Sequence, residues 1–186
     1  MLITWYIIPL NDRAGDQRCG GLCTFLENNI DFLHLQNLDD LKFETQWFLL
    51  KLDRLPRGIN SIVLATVYHP PKNDDYLLRN HIFQCLDAAL STYPNSGIIL
   101  MGDFNQFNPG NLCSSFRLKK LVILPTRGLN TLDQVYSSLA NYYQDAEILP
   151  PCNRHVWPLK YPFTTYFNGC NKPPFHSSFK TSKPSI

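Results

Sequence analysis

The sequence predicts an α/β domain, and three observations carry that reading. Ser61 to Tyr68 is rich in Ile, Val and Leu, Gly97 to Met101 is apolar at four consecutive positions, and between them apolar residues recur at steps of three and four. A continuous apolar run bounded by turns suits a strand covered on both faces, whereas the three-and-four repeat suits a helix buried along one stripe. Strand, helix, strand in that order is the unit from which a sheet layered with helices is built. The 186 residues suffice for one core, since a chain of this size buries roughly 70% of the surface it exposes when unfolded.

Taken in order, Gly21 to Glu27 reads as extended, and Phe43, Thr45, Trp47 and Leu49 fall on one face of a second extended run. Asp74 or Asp75 caps the helix. Along it Leu78, Ile82, Cys85 or Leu86, Ala89 and Tyr93 form the stripe before Pro94 ends it. Asn108 to Leu121 holds a short helix opening near Pro109, because Leu112, Phe116 and Leu121 are spaced to share a side. Thr131 to Tyr136 and Gln144 to Leu149 complete the extended segments, and there is no internal repeat.

Charge divides the chain near Pro150-Pro151. All 15 acidic residues lie at or before Glu147, so residues 1–151 carry the acids and 152–186 carry five basic residues and none. Half of the 14 prolines fall within 150–186, so we expect 152–186 to be a basic, irregular or disordered tail. The body, net acidic, is no general polyanion binder. The six cysteines are too sparse for a disulfide scaffold, and Cys19 and Cys23 are followed by no second pair at zinc spacing, so no structural zinc is expected. No apolar run approaches the roughly 18 residues that cross a bilayer, and no basic residue precedes the apolar stretch of Met1 to Leu10. The expectation is an intracellular chain, nuclear or cytoplasmic, not secreted, without a membrane partner and without an obligate oligomer.

Chemistry belongs where the second buried strand gives way to Gly102-Asp103-Phe104-Asn105. In extended geometry Asp103 and Asn105 project to one side, where a carboxylate and a carboxamide can orient a water and a phosphate oxygen; an Asx turn at a strand end uses the same two residue types. Tyr68 ends the preceding strand before His69-Pro70-Pro71, a rigid exit at the same rim. Asp133 lies within an extended segment, where Asp is disfavoured unless a partner offsets its burial; orienting a histidine is one such partnership, and a solvent-facing edge is the plain alternative.

Five blocks follow one another in a familiar order: Gly20-Gly21-Leu22-Cys23, Arg54-Leu55-Pro56-Arg57-Gly58, Val67-Tyr68-His69-Pro70-Pro71, Met101-Gly102-Asp103-Phe104-Asn105 and Leu132-Asp133-Gln134-Val135-Tyr136. Over most of residues 1–151 the chain resembles the endonuclease domain that opens the polyprotein of non-LTR (LINE-type) retrotransposons. That domain belongs to the endonuclease/exonuclease/phosphatase superfamily and is related to apurinic/apyrimidinic endonucleases. The resemblance implies a four-layer α/β sandwich, two mixed sheets face to face with helices outside, incomplete at both ends here. It also implies Mg²⁺-dependent cleavage of DNA phosphodiester bonds at one rim. On its terms Asp103 orients or deprotonates the attacking water and Asn105 holds the scissile phosphate. Tyr68 steadies the phosphate or leaving group, and Asp133 fixes the tautomer of a catalytic histidine.

Two parts of that pattern are missing. The acidic metal ligand of a Glu-Thr-Trp motif lies upstream of the Gly-rich block in the family, and the echo in Glu44-Thr45-Gln46-Trp47 comes after it and reads as coincidence. Downstream, Ser-Asp-His is replaced by Cys152-Asn153-Arg154-His155, so His155 has Arg154 where an Asp belongs and is a poor candidate for the imidazole. No complete metal set remains, and Asp103 and Asn105 offer at most a weak Mg²⁺ site. The expectation is a truncated, poorly soluble and inactive remnant of a DNA endonuclease. The alternative is a catalytically dead domain that binds nucleic acid through Arg117, Lys119, Lys120 and Arg127.

Overall fold

The computed structural model of the chain describes residues 5–9, 22–27, 30–40, 42–71, 73–126, 129–142, 147–148 and 159–160. His155, Arg127 and nearly all of the 152–186 tail lie outside them. The described strands are β1 (Trp5–Pro9), β2 (Cys23–Glu27), β3 (Asp31–His34), β4 (Thr45–Lys51), β5 (Ser61–Tyr68), β6 (Ser96–Asp103), β7 (Lys119–Lys120), β8 (Asp133–Ser137), β9 (Glu147–Ile148) and β10 (Leu159–Lys160). The helices are α1 (Asp75–Thr92) and the single turn α2 (Leu112–Ser115), with 3₁₀ turns at Gln36–Leu38 and Ala140–Tyr142.

Six strands form one mixed sheet in the order β3-β4-β5-β6-β8-β7. Only β5 and β6 run parallel among these neighbours, because α1 carries the chain back over the sheet between them; the other pairs are antiparallel. The helix stripe is as its periodicity requires: Leu78, Ile82, Cys85, Leu86 and Ala89 are buried, against Trp47, Leu49, Val63, Ala65, Val67, Ile98 and Leu100. Tyr93, the last member of the stripe, is half-buried and packs on this cluster.

The opposite face is covered too. Phe48, Leu50, Ile62, Leu64, Ile99, Met101 and Val135 pack with Leu26 of β2 and with Ile30, Val122 and Leu139. Thr24 of β2 donates to Gln46 Oε1 at 2.9 Å and pairs with Thr66 Oγ1 at 2.9 Å, which ties the β1-β2 ribbon to the sheet through buried hydroxyls. The central strands are therefore buried on both faces, and the alternation of Phe43 to Leu49 is only half of a two-sided pattern.

Two segments depart from expectation, and a third is described only in part. Between Asn108 and Leu121 the helix lasts one turn, since Arg117 takes a left-handed φ of 53° and β7 begins two residues later. Strand β3 has a four-residue alternation of exposed and half-buried positions, too short to stand out in the sequence. Gln144 to Leu149 is described only as the two-residue β9, paired with β10. Among the described residues no helix is long and apolar enough to cross a membrane.

Asp74 caps α1, accepting from the backbone N–H of Tyr76 at 2.7 Å and of Leu77 at 3.4 Å. Asp74→Ala is expected to lower stability by about 1 kcal/mol, read as a shift of the urea midpoint without a change in slope.

Candidate active site at the sheet rim

Register builds the site. Tyr68 at the end of β5 pairs with Asp103 at the end of β6, and Asp103 pairs with Asp133 at the start of β8. Three residues far apart in sequence thus form one row across three adjacent strands, at the roughly 5 Å spacing of hydrogen-bonded neighbours. Alternation sets their direction: Val67 and Leu100 belong to the helix side, Met101 and Val135 to the ribbon side, so the row follows the ribbon side. Asp103 is 8% exposed and Asp133 2%, while Tyr68 is half-buried. Two buried carboxylates therefore occupy neighbouring register positions on one face of the sheet.

Asn105 joins this row by a turn and not by continuing the strand. The extended geometry expected for Asp103 and Asn105 ends at Asp103, and Asn105 has a left-handed φ of 48°, which Asn tolerates better than most residues. Its backbone N–H donates to Asp103 Oδ1 at 3.1 Å, so the Asx turn is present. Its side-chain Nδ2 donates to the His69 carbonyl at 2.7 Å, and the His69 N–H donates to the Asp103 carbonyl at 2.9 Å. Asn105 and Asp103 are therefore fastened to the exit of β5, the segment that holds Tyr68.

Asp133 is placed by Thr126, a buried residue that sequence reading missed: its Oγ1 accepts from Leu132 N at 3.0 Å and Asp133 N at 3.1 Å. Glu44 extends the row on the far side, since the Tyr68 N–H donates to its carbonyl at 3.1 Å and its side chain is 9% exposed. Its sequence echo of an acidic motif falls after the Gly-rich block, so nothing but the antiparallel register of β4 with β5 reveals its place.

The described histidines are committed elsewhere. His34 Nε2 lies 2.7 Å from Asp39, His69 Nε2 lies 2.8 Å from Asp75, and His81 contacts Thr45 Oγ1 at 3.1 Å while stacking on Phe43. Burial lowers the His81 pKa against the opposing effect of Asp40. Burial, then Asp40 and Asp39, pushes the Cys85 thiol up to about 12, so it is no nucleophile near neutral pH. A recess of about 240 Å³ opens on the helix side of the β5 exit, lined by Lys42, Phe43, His69, Asp74 and Leu77 among others, and does not coincide with the acidic row.

Of the basic residues, Lys119 and Lys120 are exposed on β7, the outer strand beside β8, and Arg117 is exposed just before them. Lys119 Nζ donates to Asn141 Oδ1 at 2.9 Å, and partial burial lowers the Lys120 pKa. They pair with Ser137 and Tyr136, down the strand from Asp133. Among the described residues no three His, Cys, Asp or Glu side chains gather as a metal site.

No protein-family model matches the sequence, and comparison with curated proteins gives no match. Solved structures do match in fold. The endonuclease domain of TRAS1, a telomere-specific non-LTR retrotransposon, superimposes with a TM-score of 0.54 at 10% identity, over 78% of this chain and 69% of that one. A functionally unknown conserved protein from Enterococcus faecalis V583 gives a TM-score of 0.45 at 15% identity, over 72% and 65%. The chain shares its α/β fold with the TRAS1 endonuclease domain.

Proposed function

We propose that residues 1–151 are an endonuclease domain of the non-LTR retrotransposon type, built for Mg²⁺-dependent hydrolysis of DNA phosphodiester bonds. The reading extends the α/β sheet to a four-layer sandwich, with the β1-β2 ribbon as part of the second sheet. One observation carries it: Tyr68, Asp103 and Asp133, chosen for their chemistry, stand in one register row, with Asn105 fastened beside them.

Asp103 takes the proton of the attacking water. Asn105 has committed one N–H to the His69 carbonyl, which leaves its second N–H to donate to a phosphate oxygen. The Tyr68 hydroxyl donates to the phosphate or leaving oxygen. The donors suit Mg²⁺ in kind, being hard oxygens, and fall short in number; Asp103 and Asn105, with Asp133 nearby, would hold the ion only together with a phosphate oxygen. The ion would supply charge neutralisation at the leaving oxygen.

The described histidines are committed to Asp39, Asp75 and Thr45, and Arg154 stands beside His155 where the family carries an acid. General acid/base help is worth roughly 10² to 10⁴ in rate, so the 186-residue chain is expected to cut far below its relatives. Supercoiled plasmid incubated with and without Mg²⁺ tests this; the expected result is no nicking above background in either, and efficient Mg²⁺-dependent nicking overturns the inactive reading. The second reading, DNA binding without cleavage, draws on the exposed Arg117, Lys119 and Lys120. Binding that weakens steeply as salt rises supports it.

A further inference from the structure

We infer that His69 and Asp75 are a positioning pair that sets the Asn105 carboxamide from the reverse side of the sheet. The inference rests on the phosphate-binding role proposed for Asn105. His69 is 4% exposed, and its ring meets the Phe107 ring edge-on at 5.5 Å within the helix-side packing, so it touches no substrate on the ribbon side. Its backbone does the work at the site. The His69 N–H holds the Asp103 carbonyl and its own carbonyl holds Asn105 Nδ2 at 2.7 Å.

The direction of that carbonyl depends on how residue 69 is held, and two constraints hold it. Pro70 stiffens the chain beyond, and the ring is fixed by Nε2 donating to Asp75 Oδ1 at 2.8 Å. Asp75 is a connector, for its Oδ2 accepts from Asn108 N at 3.1 Å, three residues past Asn105. The β5 exit, the first turn of α1 and the loop after β6 thus close a ring of hydrogen bonds around Asn105. Capping falls to Asp74, which leaves the Asp75 carboxylate for this tie.

The test pairs affinity with a spectroscopic signature. Affinity for a short DNA duplex is measured in EDTA, so that no cleavage intervenes, for the parent, Asp75→Ala, Asn105→Ala and the double variant. Each single change is expected to weaken binding about five- to tenfold, and Asp75→Ala to add less than about twofold once Asn105 is gone. The side-chain amide resonances of Asn105 should move in Asp75→Ala and stay near the parent's in His69→Gln, which keeps a donor towards Asp75. Additive losses, or unmoved Asn105 resonances, overturn the inference. Should Asp75→Ala not fold, Asp75→Asn removes one of the two ties with the same shape and gives the same readouts. Absence of DNA binding by the parent sinks the nuclease reading alone, because the Asn105 resonances still decide the positioning.

Discussion

Gly102→Ala is expected to prevent folding, or to lower stability by more than about 4 kcal/mol, a large share of the 5–15 kcal/mol typical of such domains. A Cβ at Gly102 would sit 1.8 Å from the Val67 carbonyl oxygen, 2.8 Å from its carbon and 2.9 Å from its nitrogen. All three atoms belong to the backbone of the parallel neighbour, in register with Gly102, so no side chain can swing aside. The φ of 155° adds strain for any residue with a Cβ. Relief requires β5 and β6 to part next to Tyr68 and Asp103, so whatever folded protein survives should also lose the row. Gly97→Ala provides the control. There the added carbon meets only side-chain atoms, Leu139 Cδ1 at 2.5 Å and Cγ at 2.8 Å among them, which can shift where a strand backbone cannot, and the cost should be smaller. Thermal and urea unfolding of both variants measure the difference, and a Gly102→Ala protein with the parent's midpoint contradicts the close approach.

The same strands show what a sequence can and cannot disclose. Ser61 to Tyr68 coincides with β5, and Asp74 caps α1 as a Ser/Asp-type N-cap should, because two-sided burial and helix capping are local signals that neighbouring residues carry by themselves. Tyr68 and Asp103 stand out at strand ends and Asp133 as an acid within an extended run, yet their union depends on pairing across the sheet, and no local period encodes which strand lies beside which. Thr126 and Glu44 illustrate the gap. Each is placed by the partner strand, through the Asp133 N–H in one case and the Tyr68 N–H in the other. Asn105 fails differently: its neighbours read as extended, and the left-handed turn arises from bonds to Asp103 and to His69 across the sheet.

Phe104→Ala is expected to cost about 3–5 kcal/mol and to loosen the site at the same time. Phe104 is fully buried, 5.5 Å from the Phe107 ring and edge-on to Tyr136 at 5.6 Å, inside the cluster beneath α1. In Gly102-Asp103-Phe104-Asn105 each residue meets a different demand. Glycine admits the Val67 carbonyl, aspartate faces the row, phenylalanine drives into the helix-side core, and asparagine makes the turn. Removing the ring leaves a cavity directly beneath the turn, and the Phe104 N–H bond to the Leu132 carbonyl at 2.9 Å, which joins that turn to the Asp133 strand, loses its support. Phe104→Leu should recover more than half of the lost stability because it refills most of the volume. Urea unfolding gives the stability, and hydrogen exchange at the Asn105 and Asp133 amides reads the loosening. Equal losses in Phe104→Ala and Phe104→Leu, with exchange unchanged, would show that the ring neither fills the core nor steadies the turn.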